Sequence, residues 1–383
     1  MLKIPRSIPS PWLAAGMTAA LLATACGSGS GDGIAPPGQD VEPLTQAPSG
    51  PGGSDYRYAR SVLTAEMEGH AGYRLFEPRT GEGAIPSGSL PLVYFLHGYG
   101  AITPEIYRSW IDHLVRKGRI VVWPNLQQNA STSLYCYKAN AAAGIRAAID
   151  SLQGSPTQHA QPDLGRVAAV GHSLGGTLAP NLAAGADRFG IPRPRAVMSA
   201  TPEHAPPPAP TSTYIPFENL AALPAATLLQ VVVGEDDDFA RRAVAQDIYH
   251  GATALPLSNR DYLTLRSDDL VDPPLLADHA SASSGVTGSS SNPPDLLDWY
   301  GYWKLFDALM DAAFESGLHL DYALNGGAPQ RFMGLRADRS PVTPLEVASD
   351  LPGDPATCNL GANCPAQLPP PVDEPLQPCQ SLR

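Results

Sequence analysis

The chain is short of positive charge. Lysine and arginine number 25 against 37 aspartates and glutamates, for a formal net charge of −12. No basic stripe interrupts that balance, which excludes a nucleic-acid partner. Cysteine is scarce, at five in 383 residues, and no histidine lies near those of the C-terminal tail, so no zinc site is expected. The apolar run from Trp12 to Ala25, broken by Gly16, Thr18 and Thr24, is too short for a stable membrane span. Proline is in excess instead: 41 residues, about double the usual share. The prolines gather near both ends and between residues 192 and 216.

The N-terminus reads as an export signal over residues 1–25, with Lys3 and Arg6 ahead of the apolar run. The run closes on Leu22-Ala23-Thr24-Ala25-Cys26, which resembles a bacterial lipobox. That resemblance implies cleavage before Cys26, lipidation of its thiol and attachment to a cell-envelope membrane. A secreted, unanchored protein with an incidental Cys26 is the alternative. Residues 26–54, rich in Gly, Pro and Ser, are expected to be a disordered tether. Cys136, Cys358, Cys364 and Cys379 remain, an even number that favours disulfides in an exported chain, with three connectivities. Cys358 and Cys364 are near enough to staple the tail (341–383), a pairing that would leave Cys136 and Cys379 to join it to the body, with the other connectivities open.

Residues 55–340 alternate strand and helix signals. Strands are expected at 72–77, 90–96, 120–123, 166–170, 196–199, 227–233 and 262–265. The first helix follows Thr103 as cap and Pro104, with Ile106, Trp110, Ile111, Leu114 and Val115 on one face and Gly118 as its stop. Others are expected over 139–152, from Leu174, over 240–250 and over about 294–315. This alternation predicts one α/β domain with a mostly parallel sheet covered by helices on both faces.

Chemistry is concentrated at Gly171-His172-Ser173-Leu174-Gly175. A serine between two glycines at this spacing forms a nucleophile elbow, the tight strand-to-helix turn that exposes a hydroxyl at its apex. A serine hydroxyl needs a base, and the base needs an orienting acid, in the chain order Ser, Asp or Glu, His. The apolar strand Leu228–Val233 ends in Gly234-Glu235-Asp236-Asp237-Asp238. Asp237 is the expected acid and Asp236 the runner-up, with Glu235 and Asp238 left to solvate the loop or cap the next helix. Of the later histidines, His250 ends a helix and His319 follows the last one. His279, in the loop after the 262–265 strand, is the expected base. His172 packs or lines the pocket, and His97 braces its own loop. The backbone N–H of Leu174 and that of Tyr99, in His97-Gly98-Tyr99-Gly100, are the expected oxyanion donors.

With donor loop, elbow, acid strand and late histidine in order, the chain resembles the α/β-hydrolase superfamily. Over about residues 58 to 315 it looks like the branch holding chlorophyllases, dienelactone hydrolases and cutinase-like polyester hydrolases. Dienelactone hydrolases use a cysteine where Ser173 stands. The expectation is a carboxylic ester hydrolase that forms an acyl-enzyme on a small-molecule or polymeric ester and needs no cofactor or metal. A thioesterase or amidase with the same triad, or a non-catalytic surface binding protein on this fold, is the alternative. No long lipase-type lid is evident, and the proline-rich 202–216 stretch could form a short cap over the pocket.

Overall fold

A computed structural model describes residues 41–204, 215–240, 242–287, 290–348, 351 and 379. Its frame is a nine-stranded sheet in the order β1-β2-β4-β3-β5-β6-β7-β8-β11. The strands are β1 (Arg60–Met67), β2 (Tyr73–Arg79), β3 (Ser89–Leu96), β4 (Ile120–Pro124), β5 (Gln161–His172), β6 (Ala196–Ala200), β7 (Leu228–Gly234), β8 (Arg260–Leu265) and β11 (Glu346–Ala348). From β4 to β8 all neighbours run parallel, while β1, β2 and β11 join antiparallel. A separate hairpin pairs β9 (Gly285–Thr287) with β10 (Ser290–Asn292).

Because the inner strands are covered on both faces, each reads as a continuous apolar run whose residues still divide by the period of two. On β3, Val93 and Phe95 enter one core, and Leu92, Tyr94 and Leu96 the other. Helices α1 (Arg108–Arg116) and α6 (Lys304–Phe314) cover the first face. Helices α2 (Tyr137–Gly154), α3 (Leu174–Ala184) and α5 (Arg242–Gly251) cover the second. Short turns complete the set: α4 (Ala186–Phe189), α7 (Leu320–Ala323) and α8 (Ala328–Arg331). Gln230, on β7 amid apolar neighbours, donates through Nε2 to the carbonyls of Leu305 and Ala323 at 3.3 and 2.7 Å.

Four expectations need correction. The proposed tether is docked from residue 41 onward: Val41 and Ala47 lie in the core, and Gly52 N–H donates to Asp307 at 3.0 Å. Gly52 has φ +71°, and a Cβ there would stand 2.3 Å from the Trp299 carbonyl. Its glycine therefore serves a close approach and not looseness. Residues 26–40 lie outside the described ones. The tail does not begin at 341, since Val342 and Leu345 are buried and β11 pairs with β8. The last helix is not uniform: Leu297–Trp303 is a π-helix, with Lys304 N–H reaching the Trp299 carbonyl, and α6 follows. Thr103 makes no side-chain cap, and Pro104–Tyr107 is a 3₁₀ turn ahead of α1.

Cys136 and Cys379 form a disulfide, with their Cα atoms 5.5 Å apart. Cys358, Cys364 and Cys26 lie outside the described residues. Among the described residues no helix is long and apolar enough to cross a membrane.

Candidate active site

The site stands at the carboxyl ends of the parallel strands, where an open α/β sheet presents its loops. β5 ends at His172, and α3 starts at Leu174, so Ser173 alone turns the chain. Its φ is +58° and ψ −122°, a conformation L-residues rarely adopt. The turn requires both of its glycines. A Cβ on Gly171 would lie 1.9 Å from the Gly175 carbonyl oxygen, and one on Gly175 1.9 Å from that of Leu96. The Ser173 N–H donates to the Ala200 carbonyl at 3.0 Å, which ties the elbow to β6.

Three side chains from distant parts of the chain meet here. His279 Nε2 lies 3.0 Å from Ser173 Oγ, and Nδ1 lies 2.9 Å from Asp237 Oδ2. A carboxylate oxygen accepts, so Nδ1 carries the proton and Nε2 is left to accept from the serine hydroxyl. The other Asp237 oxygen accepts the N–H groups of Phe239 and Ala240 at 3.0 and 2.7 Å, which fixes the carboxylate plane. Ser173 is nearly enclosed, at 5% exposure, while the His279 side chain keeps 20%.

Asp236 does a different job. Its Oδ2 accepts from Ser267 Oγ at 2.5 Å, and Ser267 Oγ accepts the Ala277 N–H at 2.9 Å. The Asp236 N–H donates to the Ala277 carbonyl. Asp236 thus braces the loop that carries His279. Glu235 pairs with Arg266 at 2.8 Å and accepts the Ser267 N–H, so it too anchors that loop rather than solvating it. Asp238 is exposed.

The expected donor loop runs over Ser173: a Cβ on Gly98 would stand 3.2 Å from Ser173 Cβ. The amides beside Tyr99 are engaged, Gly98 N–H by the Tyr107 hydroxyl at 3.2 Å and Gly100 N–H by Gln127 at 2.9 Å. Among the described residues, the Tyr99 N–H has no such partner. Leu174 N–H belongs to the first turn of α3, where helix amides lack intrahelical acceptors.

His97 braces this loop as expected. Nδ1 donates to the Gly98 carbonyl at 2.8 Å, Nε2 accepts from Leu126 N–H, and the ring stacks on Trp123. Burial pushes its pKa down to about 4, so it stays neutral. His172 is also buried, at 5% exposure; desolvation, aided by the nearby His279, lowers its pKa to about 3. His250 closes α5, and His319 pairs with Asp311 at 2.9 Å, so neither reaches the site. Of the stretch read as a cap, residues 205–214 lie outside the described ones.

Sequence reasoning missed Tyr107 and Phe239. The Tyr107 hydroxyl sits 2.6 Å from His172 Nδ1, and the Phe239 ring lies over His279 at 4.5 Å between centroids. Phe239, two residues past the acid, was visible as an exposed-loop aromatic. No sequence pattern marks Tyr107, because its partners are 9 and 65 residues away.

No curated protein matches the chain. Residues 83–197 match the chlorophyllase family, a stretch that includes β3, the donor loop and the elbow and stops before Asp237 and His279. The nine-stranded, mostly parallel sheet and this match agree: the protein has the α/β-hydrolase fold and is similar, over residues 83–197, to the chlorophyllases.

Proposed function

We propose that this protein is a serine-dependent carboxylic ester hydrolase. The observation that carries the reading is the unbroken Ser173–His279–Asp237 contact line, at 3.0 and 2.9 Å, delivered by three separate loops. Ser173 Oγ attacks the ester carbonyl carbon as His279 Nε2 takes its proton, and Asp237 holds the imidazole by its Nδ1–H. The N–H groups of Leu174 and Tyr99 receive the charge that develops on the carbonyl oxygen, each worth about 3 kcal/mol. His279 returns its proton to the departing alkoxide, leaving an acyl-serine and a free alcohol. Water, deprotonated by the same imidazole, then attacks the acyl carbon, and the imidazolium returns that proton to Ser173 Oγ as the acid leaves.

Two exposed aromatics stand beside the site: Tyr99, in the donor loop next to Gly98, and Phe239, whose ring lies 4.5 Å from that of His279, at 39 and 43% exposure. Such neighbours favour esters with bulky apolar groups. The location proposed with this reading is outside the cytoplasm, by lipid attachment at Cys26. The Cys136–Cys379 bridge supports an oxidising compartment.

The test is a panel of p-nitrophenyl esters, thioesters and anilides, run with the wild-type chain and Ser173→Ala. Ester hydrolysis lost in the variant, with an unchanged melting curve, supports the reading. Equal hydrolysis by the two proteins contradicts it, and a preference for thioesters or anilides moves it to another acyl class.

A further inference from the structure

We propose that His172 and Tyr107 form a positioning link that ties the catalytic base to the oxyanion loop. The inference rests on the ester-hydrolase reading above and concerns two residues that the triad itself does not use. His172 Nε2 lies 2.8 Å from the backbone carbonyl of His279. A carbonyl oxygen only accepts, so Nε2 carries the proton and Nδ1 is a lone-pair acceptor. That lone pair takes the Tyr107 hydroxyl proton at 2.6 Å. The Tyr107 oxygen in turn accepts the Gly98 N–H at 3.2 Å, and the Ser283 side chain bonds to it as well.

Every proton in this chain of bonds has one direction. Gly98 N–H points to Tyr107, Tyr107 O–H to His172, and His172 Nε2–H to the His279 carbonyl. The line thus starts one residue before the proposed donor Tyr99 and ends on the main chain of the base. Both terminal segments flank Ser173: Gly98 packs on its Cβ, and His279 Nε2 faces its hydroxyl. His172 and Tyr107 are 5% and 1% exposed, so water does not compete for these bonds. Burial also keeps His172 neutral, with its Nδ1 free to accept.

Through this link a shift of the histidine loop is resisted by the donor loop, and the reverse. Packing alone does not need a polar pair here. A buried hydroxyl and imidazole cost desolvation, and that cost is recovered only when every bond is made. Positioning is where such a pair acts, because a displacement of about 1 Å of the base or the donor costs about a hundredfold in rate.

The test uses the full chain with Tyr107→Phe, His172→Ala, His172→Gln and the double variant Tyr107→Phe/His172→Ala. Steady-state hydrolysis of p-nitrophenyl butyrate and the rate of fluorophosphonate labelling are read well below each melting midpoint. For Tyr107→Phe the link predicts a kcat lower by roughly tenfold to a hundredfold, KM within about twofold, and a matching loss in labelling rate. His172→Gln, which keeps one donor and one acceptor, recovers part of what His172→Ala loses. The double variant loses no more than its worse parent, as expected for residues acting as one unit.

If Tyr107→Phe does not fold, His172→Gln against His172→Ala carries the same comparison. Lowered melting points with unchanged kcat in the folded variants overturn the link, as do losses that multiply in the double variant. Ser173→Ala separates failure of the link from failure of the ester-hydrolase reading. If it still hydrolyses the ester, the nucleophile assignment falls and the link with it. If only Ser173 is labelled and Tyr107→Phe is unimpaired, the link alone falls.

Discussion

Of the three histidine–aspartate pairs at 2.9 Å among the described residues, two have opposite surroundings. In one, His279 meets Asp237; in the other, His113 meets Asp307. The free nitrogen of His279 faces the Ser173 hydroxyl, and its side chain keeps 20% exposure. The second nitrogen of His113 faces the Tyr56 hydroxyl at 3.3 Å, and its side chain is fully buried. Asp307 also pairs with Arg119 at 3.2 Å and accepts the Gly52 N–H. Burial lowers the pKa of His113 against the pull of Asp307. Against the upward push of burial, Arg119 and His113 hold the Asp307 carboxyl well below the usual carboxylate range. The pair itself therefore does not make a catalytic site. In the proposed site the second nitrogen faces a serine hydroxyl and the ring is partly open to solvent, whereas at His113 it faces Tyr56 in a closed interior and the pair clamps the segment carrying Gly52 and Tyr56.

That contrast breaks first at the nucleophile and the acid. Ser173→Ala and Asp237→Asn are each expected to lower kcat by about a thousandfold or more, while melting midpoints stay close to wild type. Ester kinetics beside thermal melts check both. Asp307→Asn is expected to do the reverse. It loses about 3 kcal/mol of stability, because Arg119 keeps only the half-buried Asp311 and His113 loses its carboxylate partner, while kcat of the folded protein stays within about twofold. Urea unfolding and kinetics on the same preparation measure the two effects, and a kcat loss as large as that of Asp237→Asn would erase the distinction.

Acid sharpens the comparison. His172 has a native pKa of about 3 against about 6.5 when unfolded. Between those values the unfolded chain binds a proton that the native imidazole does not. Its contribution to stability is thus complete above pH about 6.5 and lost as pH falls, by about 1.4 kcal/mol per unit. His172→Gln removes that titration, so its stability is expected to decline less steeply between pH 6 and 4 than the wild type's. Urea midpoints across that range check the difference, and parallel slopes would contradict it. The smallest effect expected is that of Asp236→Asn, a loss of a few-fold in kcat, since it weakens only the Ser267 brace behind the histidine loop.

The elements that position the site were legible because they are written locally. The apolar runs at β3, β5 and β7, the glycines around Ser173 and the glycine–acid exit of β7 are each contained in a few residues. The order of Ser, Asp and His followed from the fold that those runs implied. Asp237 could not be separated from Asp236 by pattern, because the choice depends on which carboxylate the 266–279 loop leaves facing His279. The docked segment 41–54 was misread for a physical reason. Its glycine and proline content fits a loose tether, yet Gly52 is required where the backbone meets the Trp299 carbonyl. The antiparallel strands β1 and β11 escaped because they are half-exposed or three residues long, with no buried run to announce them. Tyr107 escaped because a hydroxyl's partner across the sheet leaves no trace in its own neighbourhood.

The central claim is that Ser173 is the activated nucleophile. It is tested most directly by treating the purified chain with a fluorophosphonate and mapping the adduct by peptide mass spectrometry. The account predicts one adduct per chain, on the peptide containing Ser173, and strong loss of labelling in Asp237→Asn but not in Asp307→Asn. An unlabelled Ser173, or an adduct on another residue, would contradict it.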